Sequence, residues 1–333
     1  MKLKEFSKYP GLKELVFQIL KNFESKNLKI DAHKSSHKLL ELASRDKDIL
    51  SEIIHFSASK SGFLSGKNPP TIGLEVFRDK NFQLIANFWI PLPKNIEHQS
   101  VTYLHHHGSL ILSTVTAFGP GYYHWLMKPQ KIICSDKELF QIEMIERGPH
   151  YLHHVGLINA REIHVPMFAP DLSVTYALWS DEKNSNILDK LKAIKILSKY
   201  SKILKTFLTK VGLGDTLQLK NSTYLDFYPV TGGFKGVKHR PKFELLLGPT
   251  SDYLHSIFHI IQATGNENIA LEVFTKDRIN NEPFKNIEDK NIAIELLEDL
   301  KRGTKIYPKL TPNLHYGLSN SHFTNESILK SII

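Results

Sequence analysis

Between residues 71 and 180 the chain breaks into short runs rich in Val, Ile, Tyr and Phe: TIGLEVFRD, FQLIANFWIPL, SVTYLHHHGSLILSTVTAF, ELFQIEMIER, PHYLHHVG, REIHVPMF and LSVTYALWS. Turn-forming stretches such as RDKN, LPKNIEHQ, GPG, CSDK and FAPD separate them. β-Branched and aromatic side chains suit a pleated, half-buried surface, and Gly, Pro, Asn and Asp supply the backbone angles of turns. Many short strands with this punctuation predict an all-β sandwich or barrel rather than βαβ units.

The flanks read differently. GLKELVFQILKNFE places Leu12, Leu15, Val16, Ile19 and Leu20 on one helical face, and SHKLLELASRDKDILSEIIHFSA continues the period until the Gly and paired Pro of SGKNPPT break it. Residues 1–65 are therefore expected as an N-terminal helical extension and 66–180 as the β-barrel. Residues 181–212 read as an amphipathic linker helix, with Ile187, Leu191, Ile194, Leu197, Ile203, Leu204 and Phe207 apolar and lysines elsewhere. Residues 213–333 read as a C-terminal α/β region. Within it TSDYLHSIFHIIQATG predicts a helix capped by Thr250 or Ser251 and ended by Gly265.

Composition narrows the function classes. A hydrophobic fraction of 41% in 333 residues can bury a real core, and 43 Lys and Arg against 34 Asp and Glu give +9. The lysines are scattered, and nothing resembles a helix-turn-helix or an aromatic-studded basic strand, so nucleic acid is not an expected partner. The single cysteine, Cys134, excludes an intrachain disulfide and any Cys-based zinc module. No run approaches the ~18 apolar residues of a membrane span, and the opening residues lack the apolar stretch of a signal peptide. A cytoplasmic protein is expected. The glycines of GLGD and TGGFKG fit no phosphate loop, and HSIFH (His255, His259) lacks the glutamate of a zincin helix.

The chemistry concentrates in His105, His106 and His107. In a strand, residues i and i+2 share a face, so His105 and His107 would project together and His106 the other way, toward the surface or behind the site. Imidazole is the commonest metal-ligating side chain.

HHHGSLILSTVTAFGPGYY resembles the first motif of the cupin superfamily: H-x-H on a strand, then a glycine turn about a dozen residues later, here Gly119 and Gly121. REIHVPMFAPDLSVTYALWS is similar to the second motif, with His164 before a turn and a closing strand; His154 and His153 are the alternates for that ligand. The resemblance implies a jelly-roll β-barrel with helical and α/β extensions and a metal site of His105, His107 and His164. The glutamate usual four or five residues after H-x-H is replaced by Ile111 and Leu112. A three-histidine set looks most like the cupin thiol dioxygenases of the cysteine dioxygenase group. That likeness implies Fe(II), with Zn, Mn, Ni or Cu as other divalent choices, dioxygen as co-substrate, and a small anionic thiol or carboxylate substrate.

The same likeness gives Arg78 as a carboxylate clamp, in VFRDKNFQLIANFWIPL. The places of that group's Ser–His–Tyr set fall to Thr175, Ala177 and Trp179, and Tyr122, Tyr123 and His124 stand near the far end of the hairpin as hydrogen-bond donors. Arg78, Tyr122 and Trp179 are taken as the catalytic candidates. A homodimer is a further expectation. The rivals are a non-catalytic cupin sensor and a metal-dependent cupin isomerase or hydrolase, which metal content and oxygen consumption separate.

Overall fold

The computed structural model describes residues 3–66, 71–91, 104–134, 139–182, 224–228, 233–237 and 249–309. The N-terminal segment forms α1 (Pro10–Ser25), α2 (Lys29–Arg45) and α3 (Lys47–Ala58), as the helical period predicts. Asp46 ends α2 and opens α3, its side chain accepting from the Asp48 N–H in the manner of an N-cap.

Nine strands follow: β1 (Thr71–Arg78), β2 (Gln83–Trp89), β3 (Leu104–His105), β4 (Leu110–Phe118), β5 (Tyr123–Cys134), β6 (Leu139–Pro149), β7 (Val155–Ile158), β8 (Ile163–Met167) and β9 (Ser173–Asp181). One sheet has the order β1-β2-β9-β4-β7; in the other, β3, β8, β5 and β6 are successive neighbours. All the ladders among these strands are antiparallel. The chain crosses between the sheets at nearly every connection, which for β2–β9 is the double Greek key of a cupin-type jelly roll. The fold is mainly β with helical extensions.

The C-terminal region takes part in the barrel. β10 (Tyr224–Tyr228) pairs with β3, and β11 (Gly233–Val237) pairs with β6, which joins the two edges of the second sheet into a closed ring. Helices α4 (Thr250–Ala263), α5 (Glu267–Val273), α6 (Lys276–Asn280) and α7 (Ile287–Lys301) complete the described chain. The cap at α4 differs from expectation: Thr250 is already helical and Pro249, with extended φ and ψ, makes the entry without a side-chain cap. Gly265, at φ +72°, follows the last turn as predicted. β9 runs to Asp181, and the predicted linker helix otherwise falls on residues 183–212, outside the described residues. Among the described residues no helix is long and apolar enough to cross a membrane.

Alternation along the strands sorts the first sheet into two faces. Its outer face carries Leu84, Ala86, Phe88, Val115, Val174, Tyr176 and Leu178, which form one apolar cluster with α1–α3 and with α4–α7. The end helices are tied to each other by Arg278, whose guanidinium donates to the carbonyls of Ala58, Ser59 and Lys60, and by the buried Glu282, which accepts from the Leu64 N–H. Phe77 sits at the centre of this core, 6.3 Å from Phe6 and 5.1 Å from Phe82 between ring centroids. Phe77→Ala is expected to cost about 3–5 kcal/mol through lost burial and an unfilled cavity. Urea denaturation checks this as a lower midpoint at unchanged slope.

Candidate functional site

The inner face of the first sheet carries Gln83, Ile85, Asn87 and Trp89 on β2, Thr175, Ala177 and Trp179 on β9, and Leu112, Thr114 and Thr116 on β4, aligned in rows by the register. Leu112, Ile158, Ala177 and Trp179 meet Leu126 of the second sheet, a dry patch inside the barrel. Around it stand imidazoles. The ring of His107 lies 4.3 Å from that of His164 and 4.5 Å from Trp179, edge-on to both. His164 is 6.1 Å from His124, and His124 is 6.1 Å from Tyr122. Tyr122 is sandwiched between Trp89, 4.6 Å away, and His150, 5.2 Å away. A continuous file of rings thus runs from one end of the barrel to the other.

The local structure explains these positions. β3 is short: it ends at His105, so His106 and His107 leave strand geometry and enter the turn at Gly108, whose φ is +62°. The simple i, i+2 reading therefore does not describe 105–107 as one strand. His106 is buried, its Nδ1 accepting from the Gly108 N–H, which rules out the surface alternative and leaves the one behind the site, and explains why a polar ring can leave water there. His105 sits opposite His164 in the β3–β8 register. His164 is buried on β8, and its Nδ1–H donates to the Glu162 carbonyl at 3.2 Å. In the neutral ring that bond leaves the lone pair on Nε2. At the far end, Gly119 and Gly121 hold φ of +77° and +81°, where a Cβ would also collide with the Leu172 and His150 carbonyls. That hairpin turn aims Tyr122 and His124 inward.

Burial sets the protonation of this interior. Desolvation lowers His124 to about 4, and desolvation together with the neighbouring His124 and His154 lowers His150 to about 3, so both are neutral near pH 7. Burial pushes the Tyr122 hydroxyl up, against a hydrogen bond with Thr114 that lowers it. His150 Nδ1 is 3.0 Å from Thr116 Oγ1, while among the described residues His150 Nε2 and His124 Nε2 find no partner. Thr175 accepts from the Trp89 indole at 3.0 Å.

A cavity of about 500 Å³ opens at the other end, lined by Asn87, His107, Leu110, Trp179, Ser180 and Arg78 among others. Arg78 stands on its lip, where Nη2 is 2.7 Å from Glu75 and its side chain is 61% exposed. A second cavity, about 590 Å³, lies on the opposite side of the first sheet between α2 and β7. His153 and His154 line that one, with Lys34, His37, Lys38, Glu41 and Arg45. His153 takes φ +63° and bonds Ser44 on α2 at 3.0 Å, which turns it away from the barrel interior. The alternates to His164 thus line the cavity behind the sheet, whereas His164 itself stands against His107. His259 bonds the Ile306 carbonyl, a packing role for one of the two α4 histidines.

Among the described residues, no group of three His, Cys, Asp or Glu side chains is disposed to hold a metal ion. The structure brings together His107, His164, His124, Trp179 and Tyr122, and leaves Arg78 on the rim. His150, Asn87 and Trp89 were not singled out by sequence reasoning. For Asn87 and Trp89 the available signal was the β2 alternation, which places them on the face opposite Ala86 and Phe88.

No protein-family model matches the chain, and no curated protein matches it. Solved structures do. KdgF from Halomonas sp. is 10% identical, with 36% of this chain and 88% of that one covered and a TM-score of 0.24. The cupin domain of Schizosaccharomyces pombe Cnp3 is 6% identical over 39% and 75%, at 0.25. The Escherichia coli ribosomal oxygenase YcfD is 15% identical over 37% and 30%, at 0.24. Each covers little more than a third of this chain, and the jelly-roll assignment stands on the strand order.

His33 of α2 adds a titration that can be measured. It is wholly buried against the first sheet, and desolvation, aided by His37 and Lys29, lowers it from 6.5 to about 3. Between those values the unfolded chain binds a proton that the folded chain does not, so stability is full above pH 6.5 and falls as pH drops toward 3. His33→Gln should flatten that fall near pH 5 by about 1.4 kcal/mol per pH unit, one proton's worth, in urea unfolding series across pH.

Proposed function

We propose that this chain is a cupin-type metalloenzyme, a mononuclear non-haem iron oxygenase whose ion is held by His105, His107 and His164 and whose substrate is a small thiol or carboxylate anion. The observation that carries the reading is the edge contact of the His107 and His164 rings inside the jelly roll, 4.3 Å apart. The backbone register adds His105 directly across from His164. Two of the three donors are described, the imidazoles of His107 and His164, and their chemistry suits a borderline divalent ion: His164 is buried and pinned through Nδ1 to a carbonyl, the usual way a protein orients a ligating histidine, while the side chain of His105 lies outside the described residues. Bound there, Fe(II) supplies a Lewis-acidic centre with open positions for substrate and dioxygen.

The chain's own side chains do the remainder. Trp179 packs edge-on against His107 and fixes its plane. Leu112, Leu126, Ile158 and Ala177 exclude water from the wall beside it, which strengthens any charge interaction made there. A set of imidazoles without a carboxylate would leave a divalent ion's charge uncompensated, so the site would favour anions. Tyr122, kept neutral by burial, remains a hydrogen-bond donor across physiological pH. Arg78 meets the substrate at the lip. Its exposed pair with Glu75 contributes no more than ~1 kcal/mol.

Metal analysis after anaerobic purification tests this reading. The wild type is expected to retain iron and to consume oxygen with a thiol or carboxylate substrate. His105→Ala, His107→Ala and His164→Ala are each expected to lose the metal, and His154→Ala to keep it. Retention by all four variants would overturn the site. Zinc without oxygen consumption would move the assignment to an isomerase or hydrolase.

A further inference from the structure

The layer between α2 and the first sheet contains polar groups where apolar packing would be expected. His33, Ser113 and Ser180 are all buried. His37 Nε2 lies 3.2 Å from Ser113 Oγ, Ser113 Oγ lies 2.8 Å from His33 Nδ1, and His33 Nε2 lies 2.9 Å from Ser180 Oγ. The two ends border different cavities: His37 lines the outer one, with Lys34 and His154, and Ser180, whose Oγ turns to His33 on the outer face, borders the barrel mouth where β9 ends.

Donor counting gives this chain a direction. A serine hydroxyl has one proton, so Ser113, bonded to two imidazoles, must accept from one and donate to the other. A neutral His33 likewise has one N–H, so it donates to one serine and accepts from the other. All the bonds therefore point outward together or inward together.

We propose that Ser180, His33, Ser113 and His37 form a proton relay that carries the proton a substrate loses on binding at the barrel mouth to the outer cavity. The proposal rests on the reading above, in which the substrate binds as an anion. In the outward step, a thiol substrate, still protonated in neutral water, gives its proton to Ser180 Oγ, and Ser180 passes its own to His33 Nε2. His33 passes its Nδ1 proton to Ser113, and Ser113 passes its own to His37 Nε2. Each serine ends with one proton, His33 changes from the Nδ1–H to the Nε2–H tautomer, and His37 becomes an imidazolium that releases a proton from Nδ1 to water. The substrate keeps the electron pair. His33 stays neutral at both ends of the step, consistent with its depressed pKa.

The test needs neither metal nor substrate, so its failure is distinguishable from failure of the iron assignment. Full-length protein labelled with ¹⁵N-histidine is examined by two-bond ¹H–¹⁵N correlation, His33 being assigned by loss of its signals in His33→Gln. A relay gives His33 nitrogen shifts averaged between the two tautomers. Ser113→Ala should collapse them to pure Nε2–H, because only Ser180 remains to accept, and Ser180→Ala to pure Nδ1–H. A wild-type spectrum already at one pure tautomer, unchanged from pH 6 to 8, would overturn the relay and leave a static structural bond. The wild-type spectrum decides even if a serine variant fails to fold.

Discussion

The outer face of the first sheet is the constraint on which this architecture depends. A jelly roll buries the inner faces of its two sheets against each other, yet here β2, β4 and β9 also present Leu84, Phe88, Val115, Tyr176 and Leu178 on the other side. Exposed to water, that surface would forfeit about 25 cal/mol for each Å² left uncovered. Helices from the two ends of the chain cover it and fuse with it into one cluster. The barrel, its N-terminal cover and its C-terminal cover are therefore one packing problem, and Arg278 and Glu282 bind the two covers where they meet.

The interior follows a different rule. Several of its polar groups are imidazoles, and burial holds His124 and His150 neutral, so a ring can stay in the barrel without an unpaired charge. Neutral imidazole is also the form that ligates metals and changes tautomers. The same desolvation that makes these side chains costly to bury makes them chemically available. His33 extends the rule outside the barrel, where two serines satisfy a ring that could not otherwise leave water.

Much of the fold was legible from local pattern. The three N-terminal helices, the glycine turn at Gly119 and Gly121, the helix at Thr250–Ala263 and the strands from Thr71 to Asp181 other than β5 follow from period and punctuation, whereas β5 (Tyr123–Cys134) lies among none of the runs read as strand. The irregular exit from β3 was not legible, because HHHG reads as well as strand as it does as turn, and the choice belongs to the neighbours. His106 shows the consequence: alternation would turn it away from the site, whereas a bond from the Gly108 N–H lets it be buried. The pairing of His105 with His164 joins residues far apart in sequence and appears only when β3 and β8 are laid side by side. His150 was missed for the same reason, since it stands beyond the end of β6 and enters the barrel by stacking on Tyr122.

By itself the sequence determined most of the described helices and strands, and that imidazole supplies its distinctive chemistry, because those are matters of side-chain type and short-range spacing. Tertiary structure decided which histidines share a space. It placed His107 and His164 in the barrel and turned His153 and His154 to the cavity behind the sheet, because only sheet packing sets which side of a strand faces which layer. It also decided that residues 224–228 and 233–237 close the second sheet: an edge strand's unpaired N–H and C=O groups accept any strand that reaches them, and nothing local to either segment names its partner.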